Sequence, residues 1–182
     1  MAIKYGEQLL EGSRLLYGPE DISTINHLKN LNRYYDKAGR LREVAERVRL
    51  GYQVSRKHFS LNHSTTEVSR LLYYKLLIAE KDYLGAIPVV YENIAVLTDS
   101  EDDAFRRLHY LGQLHGLYGL TEQHDKREEI LLEQLELNIQ LMGNDTESSE
   151  KIILNLGGIY CEQKKFTKLR ELMTRFDMKL QC

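Results

Sequence analysis

One sequence pattern recurs about every 42 residues along this chain. Each copy centres on a bulky anchor residue, and successive anchors are 42, 41 and 42 positions apart: Tyr35, Leu77, Tyr118 and Tyr160. In the first and last copies an Asn-Leu pair stands five and four positions before the anchor. A period of this size is typical of stacked helical hairpins, because each hairpin buries its apolar face only against its neighbours.

Polar breaks divide the chain into segments in which apolar residues recur at helical spacing. Leu28, Leu31 and Tyr35 show this spacing in the first repeat, and no segment shows the strict alternation of a strand. The sequence therefore predicts an all-α fold, a right-handed superhelical α-solenoid of stacked antiparallel helix pairs in one domain over residues 1–182. The predicted elements are a helix at 2–17 and helix pairs at 22–59, 65–98, 101–142 and 147–180.

Within each pair a short turn joins the first helix to the second. We predict tight turns around Gly39, Lys81 and Lys164, where the helical pattern is interrupted for only a few residues. The third pair has a polar stretch at 121–125, which predicts a longer connection. The last helix is predicted to run over 165–180.

Charge and composition argue against several kinds of function. The chain carries 25 Lys and Arg residues against 27 Asp and Glu residues, so no net positive field favours nucleic acid. No apolar run approaches the roughly 18 residues that a membrane span needs, and the N-terminus lacks a signal-peptide pattern. We therefore expect a soluble, cytoplasmic protein with neither a nucleic-acid nor a membrane partner, and a nuclear location is the alternative.

Residues that perform catalysis or bind metal form no recognised motif. The six histidines make no H-E-x-x-H pattern, and neither cysteine belongs to a C-x-x-C pair. We expect no enzyme activity, no metal and no cofactor. Two cysteines, Cys161 and Cys182, do not amount to a disulfide framework. For Cys161 we favour a role as a small apolar packing residue over that of a reactive thiol.

At the anchor residues and their neighbours the chain resembles a tetratricopeptide repeat (TPR), in which small and aromatic residues let two antiparallel helices nest. The ordinary TPR period is about 34 residues. A step near 42 resembles more narrowly the repeats of kinesin light chain. The resemblance covers nearly the whole chain, but Leu77 stands where Tyr is usual and Glu122 where Gly is usual.

The resemblance implies that the first helix of each pair lines a concave groove in which an extended peptide binds. Carried over position by position, it implies peptide-binding roles for Asn26, Lys29, Asn30, Arg33, Tyr34, Lys37, Lys75, His109, Gln113, Lys151 and Asn155. This set contains many hydrogen-bond donors and no acidic residue. Since Asn pairs with peptide backbone and Arg grips a carboxylate with two bonds, we expect an acidic, extended partner segment. The alternative is that these residues form ordinary solvated helix faces.

Two other roles remain open from the sequence. The stack could be a regulatory or sensor arm of a larger signalling or transcription protein. It could also assemble, with copies of itself or with other subunits, through helices 2–17 and 165–180, whose apolar residues face no predicted neighbour. For the same reason we expect that the chain is a fragment of a longer protein, with the alternative that these helices simply cover the ends of the stack.

Overall fold

The computed structural model describes residues 2–144 and 146–182, which belong to two compact units. Unit 1 extends to Val96 and unit 2 begins at Leu97. The described residues form α-helices, one 3₁₀ turn and no strand. Helices that are consecutive in each unit pack against each other, so the predicted all-α fold of antiparallel helix pairs is confirmed. The prediction of a single domain stays a prediction.

Unit 1 contains five helices: α1 (Ala2–Tyr17), α2 (Ile22–Lys37), α3 (Ala45–His58), α4 (Ser64–Glu80) and α5 (Tyr83–Ala95). A 3₁₀ turn at Leu41–Val44 leads into α3, so the second helix of this pair begins at Ala45. Helix α2 lies at the centre, because it packs against α1, α3 and α4. Its residues Ile25, Leu28 and Leu31 are almost completely buried in the core of this unit.

Unit 2 contains four helices: α6 (Glu101–Leu120), α7 (His124–Met142), α8 (Glu147–Glu162) and α9 (Phe166–Arg175). Its core joins Leu131 and Leu135 of α7 to Ile153, Leu156 and Ile159 of α8. Helix α9 adds Leu169, Leu172 and Met173. It is shorter than predicted: it ends at Arg175, and residues 176–182, which we call the tail, follow as a turn and an irregular segment.

The four anchor residues close the same turn in all four repeats. In each repeat the carbonyl of the anchor accepts a bond from the amide five residues later: Arg40 to Tyr35 at 2.9 Å, Asp82 to Leu77 at 2.9 Å, Gln123 to Tyr118 at 2.9 Å and Lys165 to Tyr160 at 2.8 Å. The residue before each donor is left-handed: Gly39, Lys81, Glu122 and Lys164. This is the Schellman ending of a helix.

The prediction of a longer third turn is therefore wrong. Helix α6 ends and α7 begins with the same bond that the other repeats use, because Glu122 adopts the left-handed conformation with φ 56°. A polar stretch suggested a loop, but its residues Thr121 and Gln123 instead bond each other and the end of α6. The backbone conformation of the turn is thus the same in all four repeats, although the residues that form it differ.

The first helix of each pair begins at a side-chain cap. Asp21 accepts the amide of Ser23 at 2.8 Å, Ser100 that of Asp103 at 3.2 Å and Thr146 that of Ser149 at 3.1 Å. At α4 the imidazole Nδ1 of His63 takes this place and accepts the amide of Thr65 at 3.1 Å. Such caps satisfy amides that have no partner within the helix.

Candidate peptide-binding surface

Five of the predicted binding residues share one face of α2. Asn26, Lys29, Asn30, Arg33 and Lys37 follow the helical spacing that puts side chains on a single side. Arg33 and Lys37 are exposed, while the first three are half-buried. Tyr34 lies off this face: its ring is next to α1, so close that a Cβ on Gly6 would be 3.4 Å from its Cδ2.

Lys75 of α4 joins the same surface but is already paired. Its Nζ lies 2.7 Å from Oδ2 of Asp36, which holds α4 against α2. The charge of Lys75 is therefore offset within the protein. The sequence does not single out Asp36 as a partner of Lys75. Asp36 directly precedes Lys37, and it lies about one helical turn from the first-repeat position that corresponds to Lys75.

Lys29 occupies a pocket of neutral oxygen atoms. Its Nζ donates to Oδ1 of Asn26 at 3.2 Å and to Oγ1 of Thr65 at 3.4 Å. Thr65 in turn donates to the same oxygen of Asn26 at 3.0 Å. No carboxylate neutralises this amine among the residues that the structure describes. Burial, and then the positive charge of Arg33, lower the pKa of Lys29.

Lys29, Arg33 and Lys37, which we call the cation row, are spaced four residues apart along α2. Neighbours at this spacing lie about 6 Å apart along the axis, and like charges there cost about 0.2–0.5 kcal/mol for each pair. Within the described ranges 2–144 and 146–182, neither Arg33 nor Lys37 forms an ion pair. The cation row is thus a local source of instability that an external anion would relieve.

The predicted residues of unit 2 do not form one surface. His109 and Gln113 lie on α6 and contact each other, with Nε2 of each 3.0 Å apart. Lys151 of α8 pairs with Glu147 at 2.6 Å, and Asn155 is exposed one turn later. Both helices pack on α7, but no contact joins α6 to α8 in the described part of the unit. These four residues fall into two separate pairs.

Cys161 and Cys182 are joined by a disulfide, with their Cα atoms 5.5 Å apart. We had expected Cys161 to be a small packing residue, and this expectation was incomplete. Its side chain does pack against the core of unit 2, but its sulfur is bonded to the end of the tail. Two cysteines 21 residues apart gave no sequence signal for this pairing, because the connection depends on where the tail runs.

The described residues contain neither a metal-binding cluster nor a membrane-spanning helix. No three side chains of His, Cys, Asp or Glu are grouped so that they could hold a metal ion. None of the described helices combines the length and the apolar character that crossing a membrane requires.

The fold is similar to that of solved TPR-like proteins. Two crystal structures show the nearly identical TPR-like repeats of a Podosopora anserina protein that is described as kinesin light chain-like. They superpose on this chain with TM-scores of 0.67 and, for a single-substitution variant, 0.66. Each is 16% identical to this chain, and each match covers 97% of this chain and 84% of the other. No family model and no curated protein sequence matches the chain. The likeness confirms the TPR-like α-solenoid class.

Proposed function

We propose that this chain is a protein-interaction scaffold that binds an extended, acidic segment of a partner along α2. The observation that carries the proposal is the cation row, whose three charges share one helix face without a carboxylate partner. The TPR-like fold supports a protein partner, since such stacks present extended binding surfaces. Fold alone does not choose the partner, so the charge pattern of α2 defines the partner's chemistry.

The spacing of the cation row favours a particular arrangement of acidic residues. Alternate residues of an extended chain lie about 6.4–6.8 Å apart, which is close to the roughly 6 Å between helix positions four apart. A peptide running along α2 with Asp or Glu at every second position could therefore meet all three cations. Arg33 would grip one carboxylate with two parallel bonds, and Asn30 would bond the peptide backbone.

The other predicted residues extend this proposal. Tyr34 borders the α2 face beside α1, and Lys75 is available if a stronger anion displaces Asp36. His109, Gln113, Lys151 and Asn155 would supply separate polar contacts on unit 2. We propose no catalysis and no cofactor. We place the activity inside the cell, in the cytoplasm or the nucleus, although a disulfide between Cys161 and Cys182 is more usual in oxidising compartments.

The test measures the affinity of the protein for two fluorescent peptides of equal composition. The alternating peptide carries Glu at three alternate positions, and the second peptide carries the three Glu residues consecutively. We expect the alternating peptide to bind more tightly and to weaken at least tenfold with Arg33→Glu. Binding should also weaken as salt rises, because Arg33 and Lys37 are exposed.

The matched control is Arg42→Glu, since Arg42 is exposed in the same unit and forms no ion pair among the described residues. It makes the same change in net charge away from the cation row. Equal loss of binding in both variants, or equal affinity for both peptides, would contradict the proposal.

Assembly through α1 is a second candidate, because this helix exposes a row of large apolar side chains. Leu9, Leu15 and Leu16 are 56%, 79% and 76% exposed. The other predicted assembly helix, α9, offers less, because Leu169, Leu172 and Met173 are buried in the core of unit 2. Sedimentation over a hundredfold concentration range would show self-association that Leu9→Lys/Leu16→Lys abolishes, or a constant mass that rejects it.

A further inference from the structure

The tail runs along α8 with a matched spacing. Leu180 lies on Gly157, where a Cβ would be only 2.5 Å from Cδ2 of Leu180. Two residues later Cys182 is bonded to Cys161, which is four residues after Gly157. Four helical residues and two extended residues cover nearly the same distance, about 6 Å and about 6.6 Å.

Earlier in the tail, Met178 borders a cavity of about 510 Å³ whose lining also includes Ile153, four residues before Gly157. Phe176, Met178 and Leu180 all pack against the core of unit 2. The tail therefore places residues 180 and 182 beside positions 157 and 161 of α8, and residue 178 borders the same cavity as residue 153.

These three positions of α8, Ile153, Gly157 and Cys161, form what we call the α8 track. The absence of a side chain at Gly157 lets the end of the Leu180 side chain lie close to α8, in space that a Cβ would enter. Leu169 and Met173 of α9 complete the seat, at 3.4 Å and 3.6 Å from the same hypothetical Cβ. The track thus accepts an extended segment with apolar residues at alternate positions.

Few polar bonds hold the tail in place. The amide of Met178 donates to the carbonyl of Met173 at 3.0 Å, at the start of the tail. Asp177 just before it is left-handed, with φ 49°, which turns the chain back from α9. Beyond Met178 the described attachments are the apolar seat of Leu180 and the disulfide. The disulfide therefore fixes the end of a segment that is otherwise held by few side chains.

We propose that the α8 track is a second binding surface, occupied by the chain's own tail and locked by the Cys161–Cys182 disulfide as a redox latch. A dithiol reductant opens it. One thiolate of the reductant attacks a sulfur of the disulfide and displaces the other cysteine as a thiolate. The second thiol of the reductant then attacks the mixed disulfide and displaces the remaining cysteine. Two electrons and two protons pass to Cys161 and Cys182, and the reductant leaves as a cyclic disulfide. The freed tail then exchanges with another segment of the same alternating apolar pattern.

The first test follows cleavage after Lys179, an exposed residue between the two seated residues Met178 and Leu180. The oxidised and the dithiol-reduced full-length chains receive a brief tryptic digestion, and mass spectrometry follows after complete reduction of all samples. We expect reduction to accelerate this cleavage at least tenfold, and Cys182→Ser to behave like the reduced protein without reductant. Gln181→Ser, which keeps the seat and the disulfide, should behave like the wild type.

An unchanged rate of cleavage on reduction would overturn the latch, since the tail would then stay seated without its disulfide. A change in the overall helical signal on reduction would overturn it as well, because local release of the tail requires intact helices. Leu180→Asp distinguishes the contribution of the apolar seat of Leu180 from that of the disulfide. In the oxidised state it should already accelerate the cleavage, although its disulfide is intact.

The second test asks whether the α8 track binds a segment that is not covalently joined to it. The probe is the fluorescein-labelled peptide Phe-Asp-Met-Lys-Leu-Gln-Ser, and its control has Ser in place of both Met and Leu. We expect the probe, but not the control, to bind the full-length Leu180→Asp/Cys182→Ser variant at least tenfold more tightly than the oxidised wild type. Equal binding to both proteins, or equal binding of both peptides, would overturn the proposal.

Discussion

At the scale of single residues, Lys29 is a side chain whose charge works against folding. It is half-buried, its pKa is lowered by burial and by Arg33, and its hydrogen-bond acceptors are neutral. The bond from Thr65 to Asn26 does not involve Lys29 and would persist without it. We therefore expect Lys29→Met to leave the free energy of unfolding unchanged or to raise it by up to about 0.5 kcal/mol.

The same variant should weaken binding of the alternating acidic peptide without lowering the free energy of unfolding. Urea unfolding and fluorescence titration measure the two effects on one sample. A clear loss of stability with unchanged binding would show that Lys29 serves the packing of α2 on α4 instead. The cation row would then consist of Arg33 and Lys37 alone.

Glu128 shows the opposite balance, because its charge is well satisfied. The side chain is 7% exposed, and Lys165 and Lys168 donate to its two oxygens at 2.7 Å and 2.6 Å. Burial raises the pKa of Glu128, but these hydrogen bonds and charges outweigh burial and hold it below the usual range. Since the folded pKa is lower than the unfolded one, the contribution is present above about pH 4.5 and is lost as the pH falls.

We expect Glu128→Gln to lower the free energy of unfolding by about 1–3 kcal/mol at pH 7, because a charged hydrogen-bonded group is lost. As the pH is lowered from 7 to 3, the difference between the variant and the wild type should shrink, because protonation of Glu128 removes its charge. Urea midpoints measured by circular dichroism at both pH values check this. Glu129→Gln is the control, since Glu129 is exposed on the same helix; a similar loss there would rule out the proposed role of burial and pairing.

At the scale of helices and turns, the four repeats use one backbone conformation with two kinds of residue. Gly39 holds the left-handed position in the first repeat, and Lys81, Glu122 and Lys164 hold it in the others. A residue with a Cβ is less favourable in this conformation than glycine. We expect Lys164→Gly to raise the free energy of unfolding by about 0.5–1 kcal/mol and Gly39→Ala to lower it by a similar amount.

The expected loss with Gly39→Ala does not come from a steric clash, because a Cβ on Gly39 would meet no atom within 4 Å. The opposite effects expected for the two variants therefore come from backbone conformation alone. Thermal melting would compare their stabilities. Gly158→Ala provides a helix-interior reference, since a Cβ there also meets nothing and the backbone is helical. If Lys164→Gly destabilised the protein, the cost of glycine in the unfolded chain would outweigh the relief of the left-handed residue.

These elements also show how far a single sequence leads. The anchors Tyr35, Leu77, Tyr118 and Tyr160 predicted the helix pairs correctly, because burial of one large side chain per repeat is visible as a period. The turn at Glu122 was mispredicted, because the polar residues around it suggested a loop, although Glu122 adopts the same left-handed conformation as Lys81 and Lys164. Lys75 was placed on the right helix, but the pairing with Asp36 depends on the offset between α2 and α4, which periodicity does not determine.

At the scale of the whole molecule, the two units have separate buried clusters. Leu31 is completely buried in the cluster of unit 1 and Leu156 in that of unit 2. Replacing either leucine with Ala leaves a cavity and should lower the free energy of unfolding by about 2–5 kcal/mol. In a repeat protein the stability of each segment depends mainly on its own residues and its immediate neighbours, so the two losses should appear in different parts of the chain.

Native-state hydrogen exchange resolves where each loss appears. With Leu31→Ala, amides of α1 to α4 should exchange faster while those of α7 to α9 keep the wild-type rate; with Leu156→Ala the pattern should reverse. The opening free energies of the affected helices should fall by the amount measured in equilibrium unfolding. If either variant accelerated exchange equally in all nine described helices, the two units would unfold as one cooperative body.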